Sequence, residues 1–344
     1  MFSENSNILS IETSCDETSV GISCGLDIKS LIISSQIALH AQYFGVVPEL
    51  ASRAHIENIN FVIKQSLDKA NISFDSFAKE IDAIAFTVGP GLAGALLVGA
   101  MSAKTLALVY KKPLIPIHHL EGHLYSSFIE NGIVTPPFLG VIISGGHTEL
   151  IIVEDFGKYK ILGATRDDAA GEAFDKAAKM LGLSYPGGPA IDKRAQKGNP
   201  NAIFFTRPYL KDSWDFSFSG IKTALLNYLS KNPLKGENHL NDICASFRQS
   251  IAETISFKAF EAAKKYNLKK IALGGGVCAN SLIRIMFEDL AKKNKIKLYM
   301  PSLLYCGDNA AMIGIAAYLK HKNYGLKFGE MQLKPSPSLV LESW

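Results

Sequence analysis

Apolar and polar positions alternate in three short runs at the start of the chain, 8–13, 19–24 and 30–38. Polar or glycine-containing turns separate them, the pattern of strands joined by hairpins. A helical period follows over 47–70, then an apolar strand at 83–88, a Gly89-Pro90-Gly91 loop and a helix over 92–110. From residue 138 the order repeats: strands at 138–144, 148–154 and 159–164, then a helix over 169–181. A strand at 270–273 ends in Gly274-Gly275-Gly276 and feeds a helix near 280–292; a strand at 296–300 and a helix over 310–320 close the pattern. Three strands followed by helices, twice over, predict an α/β protein of two related lobes with a cleft between them; one large sheet with insertions is the alternative. The expected division is 1–115 and 116–319, with 320–344 as a candidate completion of the first lobe. Residues 184–245, rich in Gly, Pro, Asn and Lys, are expected to be an insertion in the second lobe with short helices. The tail, 331–344, carries two prolines and little pattern and is expected to be poorly ordered.

Composition narrows the class only slightly. With 344 residues, 47% hydrophobic and 20% charged, the chain is long enough for two cored domains. A net charge of +4 is compatible with nucleic acid without requiring it. Five cysteines with no C-x-x-C spacing point to a reduced, cytoplasmic protein without a disulfide frame or zinc knuckle. The N-terminus lacks the basic start and apolar core of a signal peptide. The apolar segment 83–110 is broken by Gly89-Pro90-Gly91 and by Lys104, so a buried strand, loop and helix fit better than a membrane span.

Four stretches carry chemistry. His118-His119-Leu120-Glu121-Gly122-His123 sets His119 and His123 four residues apart, one face of a helix, where both imidazoles can reach one cation. Ser144-Gly145-Gly146-His147-Thr148 lies between two strands, where glycine lets backbone N–H groups approach an anion; a plain hairpin turn is the competing reading. Gly274-Gly275-Gly276-Val277 links a strand to a helix without a Walker or G-x-G-x-x-G pattern. The first hairpin, Ile11-Glu12-Thr13-Ser14-Cys15-Asp16-Glu17-Thr18-Ser19, is dense in carboxylates and hydroxyls. Three such turns, each just after a strand, point together to a nucleotide or phosphate site. Asp16, Glu17 and His147 are the acid–base candidates, each with a polar-turn alternative.

These segments, with V-V-P-E-L-A-S-R-A-H, G-P-G-L-A-G-A-L-L-V-G, D-D-A-A-G-E-A-F-D-K, Y-P-G-G-P, F-S-F-S-G-I-K-T-A and D-N-A-A-M-I-G, resemble the TsaD (Gcp) family, in its bacterial form, over residues 11–314. That family lies within the actin-like ATPase superfamily. The resemblance implies two duplicated actin-like (RNase H-like) lobes. It implies transfer of a threonylcarbamoyl group from threonylcarbamoyl-AMP to N6 of adenosine 37 in tRNAs reading codons that begin with A, with release of AMP. It implies one divalent metal, iron or zinc, on His119, His123 and Asp308. The nucleotide, threonylcarbamoyl-AMP or ATP/ADP, falls on Ile142, Ile143, Ser144, Gly145, Gly146, Asp175, Gly188, Asp192 and Asn280. Implied partners are tRNA, a TsaB-like paralogue, a TsaE-like ATPase and a TsaC-like synthase supplying the intermediate, with no membrane.

The sequence departs from the family pattern at Phe44, where glycine is expected, and at His118, where Asn is commoner. For Asp308 a helix N-cap is the structural alternative, and for Asp175 an i,i+4 pair with Lys179. Three other functions compete. A metallo-glycopeptidase would need a base on the metal face, but Glu121, two residues after His119, is turned about 200° round the helix. A non-catalytic ATP-binding scaffold would lack the metal ligands, and a kinase would not need the histidine pair. Lys264, Lys265, Lys269, Lys270, Lys292, Lys293, Lys295 and Lys297, with Arg53 and Lys222, are candidate contacts to tRNA phosphates.

Overall fold

The computed structural model describes residues 5–207, 213–324 and 332–343. The chain folds as two α/β lobes. One unit comprises Met1–Val134, Phe156–Lys158 and Asp308–Trp344, and the other Thr135–Asp155 and Tyr159–Gly307.

The first unit contains β1 (Asn7–Glu12), β2 (Glu17–Cys24), β3 (Asp27–Ser35), α1 (Ile37–His40), α2 (Pro48–Lys69), α3 (Phe77–Glu80), β4 (Ala83–Gly89), α4 (Ala93–Tyr110), β5 (Leu114–His118), α5 (His119–Tyr125) and α6 (Phe128–Asn131). The second contains β6 (Phe138–Ile143), β7 (Thr148–Asp155), β8 (Lys158–Ala164), α7 (Ala170–Met180), α8 (Gly187–Ala195), α9 (Ser219–Lys231), α10 (Glu237–Lys265), β9 (Lys270–Gly274), α11 (Ser281–Asn294), β10 (Lys297–Tyr299) and α12 (Leu303–Cys306). The final helix, α13 (Ala310–Tyr324), returns to the first unit.

The sheets run β3-β2-β1-β4-β5 and β8-β7-β6-β9-β10, the same topology twice. In each the first strand pairs antiparallel with the second (β1 with β2, β6 with β7) and parallel with the fourth (β1 with β4, β6 with β9). By this equivalence the β1–β2 turn and the β6–β7 turn, Thr13–Asp16 and Ser144–His147, are the same position in the two copies.

Strand alternation decides what the first sheet presents on each side. Leu9 and Ile11 of β1 join Ile59, Ile63, Ala100 and Ala103 in the core under α2 and α4. Ser10 faces the other way, where its hydroxyl donates to Ala310 O at the start of α13 (2.7 Å). The same two-residue period places Glu12 on that second side.

Three expectations look different in the structure. Residues 116–134 and 308–319 lie in the first unit, because α5 follows β5 directly and packs on α13, which crosses β1 and β2. Residues 184–245 are no peripheral insertion: Ile191, Phe205, Phe216, Phe218, Ile221 and Leu225 belong to the core of the second unit, and the 29-residue α10 begins within the segment. The described tail, 332–343, is held to the first unit. Gly91 N donates to Pro337 O (3.0 Å), Ser336 N donates to Val88 O (2.8 Å), and Leu341 is buried. The prolines prevent helix there, and hydrogen bonds to neighbouring elements take its place. Met331 and Trp344 lie outside the described residues.

Candidate metal centre and anion-binding turn

At the end of β5 the chain turns into α5. His118 begins that helix: Leu120 N donates to His118 Nδ1 (3.2 Å), and His118 Nε2 donates to Leu339 O (3.2 Å). Both nitrogens are thereby used, and His118 is structural. One residue on, His119 and His123 stand on one helix face with ring centroids 4.6 Å apart, edge to face.

Asp308 meets them from the loop before α13. Its Oδ1 lies 3.5 Å from His119 Nε2 and 3.1 Å from His123 Nε2. The N-cap alternative for Asp308 fails, since Met312 N donates to Asn309 Oδ1 (3.1 Å) and Asn309 is the cap. One donor atom from each of the three residues falls within 4.8 Å of the others.

The second ring nitrogen of His119 is spoken for. Nδ1 donates to Glu12 Oε2 (3.1 Å) and lies 3.2 Å from Ser14 Oγ. Glu12 is fully buried and also accepts from Ser14 N and the Thr87 hydroxyl. A carboxylate on Nδ1 fixes the tautomer that leaves Nε2 for a cation, the arrangement that orients metal-bound histidines. His123 supplies the test of fit. Neither of its buried ring nitrogens has a hydrogen-bond partner, and Nε2, though 3.1 Å from Asp308, is off the hydrogen-bonding direction. Buried nitrogens are rarely left so, and an ion between the three side chains resolves it. Two imidazoles and one carboxylate with remaining positions open suit iron(II) or zinc.

The electrostatics agree. Burial opposes charge on His119, but Asp308 and Glu12 outweigh it and raise the imidazole to about 9. Burial would likewise push Glu12 up, yet the facing His119 holds it below the ordinary carboxylate range. In the adjoining turn, burial and then Asp308 raise Asp16, while burial and then Asp16 raise Glu17 to about 8. Burial and the Asp16 carboxylate raise the Cys15 thiol, making it a poor nucleophile. Glu121, the peptidase candidate, is buried on α5 but stands outside the three-ligand group. Besides Asp308, the carboxylate touching His119 is Glu12.

The remaining expected residues sit in the second unit. Ile142 and Ile143 end β6, buried. Ser144 opens a tight turn: its N–H donates to His147 O (2.8 Å), and His147 N donates to Ser144 Oγ (3.1 Å). Gly171 N, at the start of α7, donates to Ser144 O (3.2 Å). Gly145, Gly146 and Gly188 have no positive φ, and a Cβ on any of them would meet nothing within 4 Å. Neither backbone strain nor internal packing calls for glycine there. What the glycines leave is open space against the backbone, the room that close approach of a ligand would need.

Asp175 Oδ1 accepts from Gly187 N (2.7 Å), tying α7 to α8. Asp192 Oδ1 accepts from Arg248 (2.7 Å) and from the Ser281 hydroxyl (2.9 Å). Asn280 caps α11 through Oδ1, with Leu282 N and Ile283 N at 3.1 and 3.2 Å, while its buried Nδ2 has no partner. Among the tRNA candidates, Lys222 is paired with Asp168 (2.8 Å) and Arg53 with Glu49 (2.7 Å). Lys264, Lys269, Lys292, Lys293 and Lys295 are exposed on the second unit.

Residues that sequence reasoning missed are Glu12, Ser14 and Thr87. The available signal was a carboxylate on the inward alternation of a strand that is otherwise wholly buried.

The sequence model of TsaD, tRNA N6-adenosine threonylcarbamoyltransferase, matches residues 27–315. A tRNA N6-adenosine threonylcarbamoyltransferase of Endomicrobium trichonymphae is 70% identical over 98% of this chain and 99% of its own length. One from Clostridioides difficile strain 630 is 50% identical over 97% and 98%. Among solved structures, HypF of T. kodakarensis aligns with a TM-score of 0.65 at 15% identity, over 93% of this chain and 49% of its own. The Acidaminococcus fermentans (R)-2-hydroxyglutaryl-CoA dehydratase component A gives 0.53 at 16%, over 92% and 100%. At such identity these two speak to the fold alone.

Proposed function

The chain belongs to the TsaD family, the tRNA N6-adenosine threonylcarbamoyltransferases, and from that premise we propose how its residues divide the work. The activity itself, threonylcarbamoyl transfer to N6 of a tRNA adenosine, follows from membership and from relatives matched along nearly their whole length. Our reading of the finer chemistry is transfer from threonylcarbamoyl-AMP to adenosine 37. The exocyclic amine attacks the carbamoyl carbonyl carbon, the bond from that carbon to the phosphate oxygen breaks, and AMP leaves with the electron pair.

His119, His123 and Asp308 hold one divalent metal, iron in preference to zinc. When bound it supplies a Lewis acid for a carbonyl or phosphate oxygen. The observation that carries this reading is the convergence of the three donors, with His119 Nδ1 committed to Glu12. The backbone at Ser144, Gly145 and Gly146 cradles the phosphate of the nucleotide, and the free Asn280 amide donates to the base or ribose. Asp175 and Asp192 act mainly as scaffolding, since each already accepts hydrogen bonds from the protein. Asp16, more basic than an ordinary carboxylate, takes the amine proton; Glu17, protonated near neutrality, leaves that role to it. His147 sits at the nucleotide turn and has no proton role in this scheme.

A helical partner of the TsaB type suits the exposed Leu97, Met101 and Leu108, which share one face of α4. The same residues give α4 its membrane-like composition, although it packs on β4 and α2. A TsaE-like ATPase and a TsaC-like synthase complete the scheme, which operates on tRNA in the cytoplasm.

The test supplies threonylcarbamoyl-AMP, unmodified tRNA and the partner proteins, and detects modified nucleoside by mass spectrometry. Product is expected from the wild type. In the His119→Ala, His123→Ala double variant both product and bound metal should disappear. Wild-type turnover in that variant refutes the metal assignment.

A further inference from the structure

Three successive carbonyls of the first hairpin turn are held by three different parts of the first unit. Leu92 N, ahead of α4, donates to Ser14 O (2.8 Å), His55 Nε2 of α2 donates to Cys15 O (3.0 Å), and Gln36 N, ahead of α1, donates to Asp16 O (3.1 Å). The Thr13 hydroxyl adds a fourth tie, donating to Ala95 O of α4 (2.8 Å). Gly91 lets the chain pass close by, since a Cβ there would lie 2.5 Å from Ser14 O. The turn backbone is thus satisfied on the protein side, while the Asp16 carboxylate stays partly exposed.

Of these four ties, only the one at Cys15 comes from a side chain of another element. His55 is wholly buried. The Cys15 carbonyl requires an N–H at Nε2, and Nδ1 then accepts from the Thr18 hydroxyl (2.7 Å), so the ring spans from the turn to the strand that leaves it. Burial holds the imidazole below the ordinary histidine value, which keeps it neutral with one donor and one acceptor. His55 ends the V-V-P-E-L-A-S-R-A-H motif, and Gly91 lies in G-P-G-L-A-G-A-L-L-V-G. The metal and nucleotide assignments leave both motifs without a task.

We propose that His55 is a positioning residue for the transfer reaction, holding the turn that presents Asp16 to the amine of the adenosine. This rests on the reading of Asp16 as the proton acceptor. The Cys15 carbonyl belongs to the peptide plane that leads into Asp16, and the Asp16 carbonyl to the plane that leaves it. His55 fixes the first plane and Gln36 N the second, so the Asp16 Cα is located from both sides and its carboxylate keeps only side-chain rotations. A base acts only within hydrogen-bond reach of its proton, and a displacement of about 1 Å can cost on the order of a hundredfold in rate.

The experiment uses the full chain with its partner proteins, threonylcarbamoyl-AMP and unmodified tRNA. Variants are His55→Leu, which keeps bulk without a donor, His55→Gln, whose amide can replace the Nε2 donor, Asp16→Asn, and His55→Leu combined with Asp16→Asn. His55→Leu should lower kcat roughly ten- to a hundredfold, with KM for both substrates within about twofold of wild type and bound metal retained. His55→Gln should recover most of that loss. In the Asp16→Asn background, removing His55 should cost at most about threefold more, because a ring that acts through Asp16 has nothing further to position. A role in the fold alone gives the same factor in both backgrounds, and that result overturns the proposal, as does wild-type kcat or loss of metal in His55→Leu. Should His55→Leu fail to fold, the comparison passes to His55→Gln and the shorter His55→Asn, whose amide falls short of Cys15 O, and equal kcat in that pair overturns the proposal. Absence of product from the wild type refutes the transferase reading. Wild-type turnover by Asp16→Asn refutes the base and the positioning role with it, whereas losses that simply multiply refute the positioning role alone.

Discussion

At the scale of single residues, the centre depends on a carboxylate that is not a ligand. Glu12 lies behind His119, and removing such a partner typically weakens metal binding 10–100-fold. Glu12→Gln should accordingly lower metal affinity by about that factor, read by competition with a chelator, while His119, His123 and Asp308 remain. Unchanged affinity would reduce Glu12 to a packing role. Glu149, in the second unit, offers a second test. Burial raises it to about 7, and its Oε2 has no hydrogen-bond partner. Its folded pKa exceeds the unfolded value near 4.5. Between those values the unfolded chain releases a proton that the native chain keeps, so stability falls as pH rises through the window. Glu149→Gln should flatten the decline between pH 5 and 8 and raise the thermal midpoint at pH 8. A wild-type pH profile retained by the variant would show that Glu149 is not its source.

Between elements, one glycine governs how the ligands meet. Gly122 stands between His119 and His123 on the helix, and a Cβ there would lie 2.9 Å from Met312 Cγ and 3.0 Å from Ile313 Cδ1. That close approach sets α5 against α13, and the loop that leads into α13 carries Asp308. Gly122→Ala gains helix propensity but overpacks the helix pair, at a net cost of about 1–3 kcal/mol. A lower thermal midpoint together with weaker metal retention is the expected result. A midpoint at or above wild type would mean that Met312 and Ile313 yield without displacing α13. The H-H-L-E-G-H stretch thus states more than a histidine pair: the glycine admits the helix whose preceding loop brings Asp308 to the histidines.

Across the whole molecule, duplication explains both the organisation and its legibility. The same strand order occurs twice, yet the two hairpin turns have diverged, one into carboxylates beside the His119, His123 and Asp308 cluster and the other into glycines with open space beside them. The exposed Lys264, Lys269, Lys292, Lys293 and Lys295 belong to the second unit and are candidate contacts to tRNA phosphates. Neutralising them should weaken tRNA affinity and reduce the slope of log K against log salt by about 0.7–0.9 for each phosphate that the protein no longer neutralises. An unaltered slope would place the RNA elsewhere. The sequence by itself determined the strand triplets, the histidine spacing and the family, because periodicity and contiguous motifs are properties of neighbours along the chain. It also set Glu121 off the metal face, since helix geometry is local. Only the tertiary structure decided that Asp308 stands beside the histidines, that Glu12 backs His119, that 184–245 builds core, and that the proline-bearing tail is tied down. Each of these rests on groups far apart in sequence, held by burial and hydrogen bonds that no local pattern encodes.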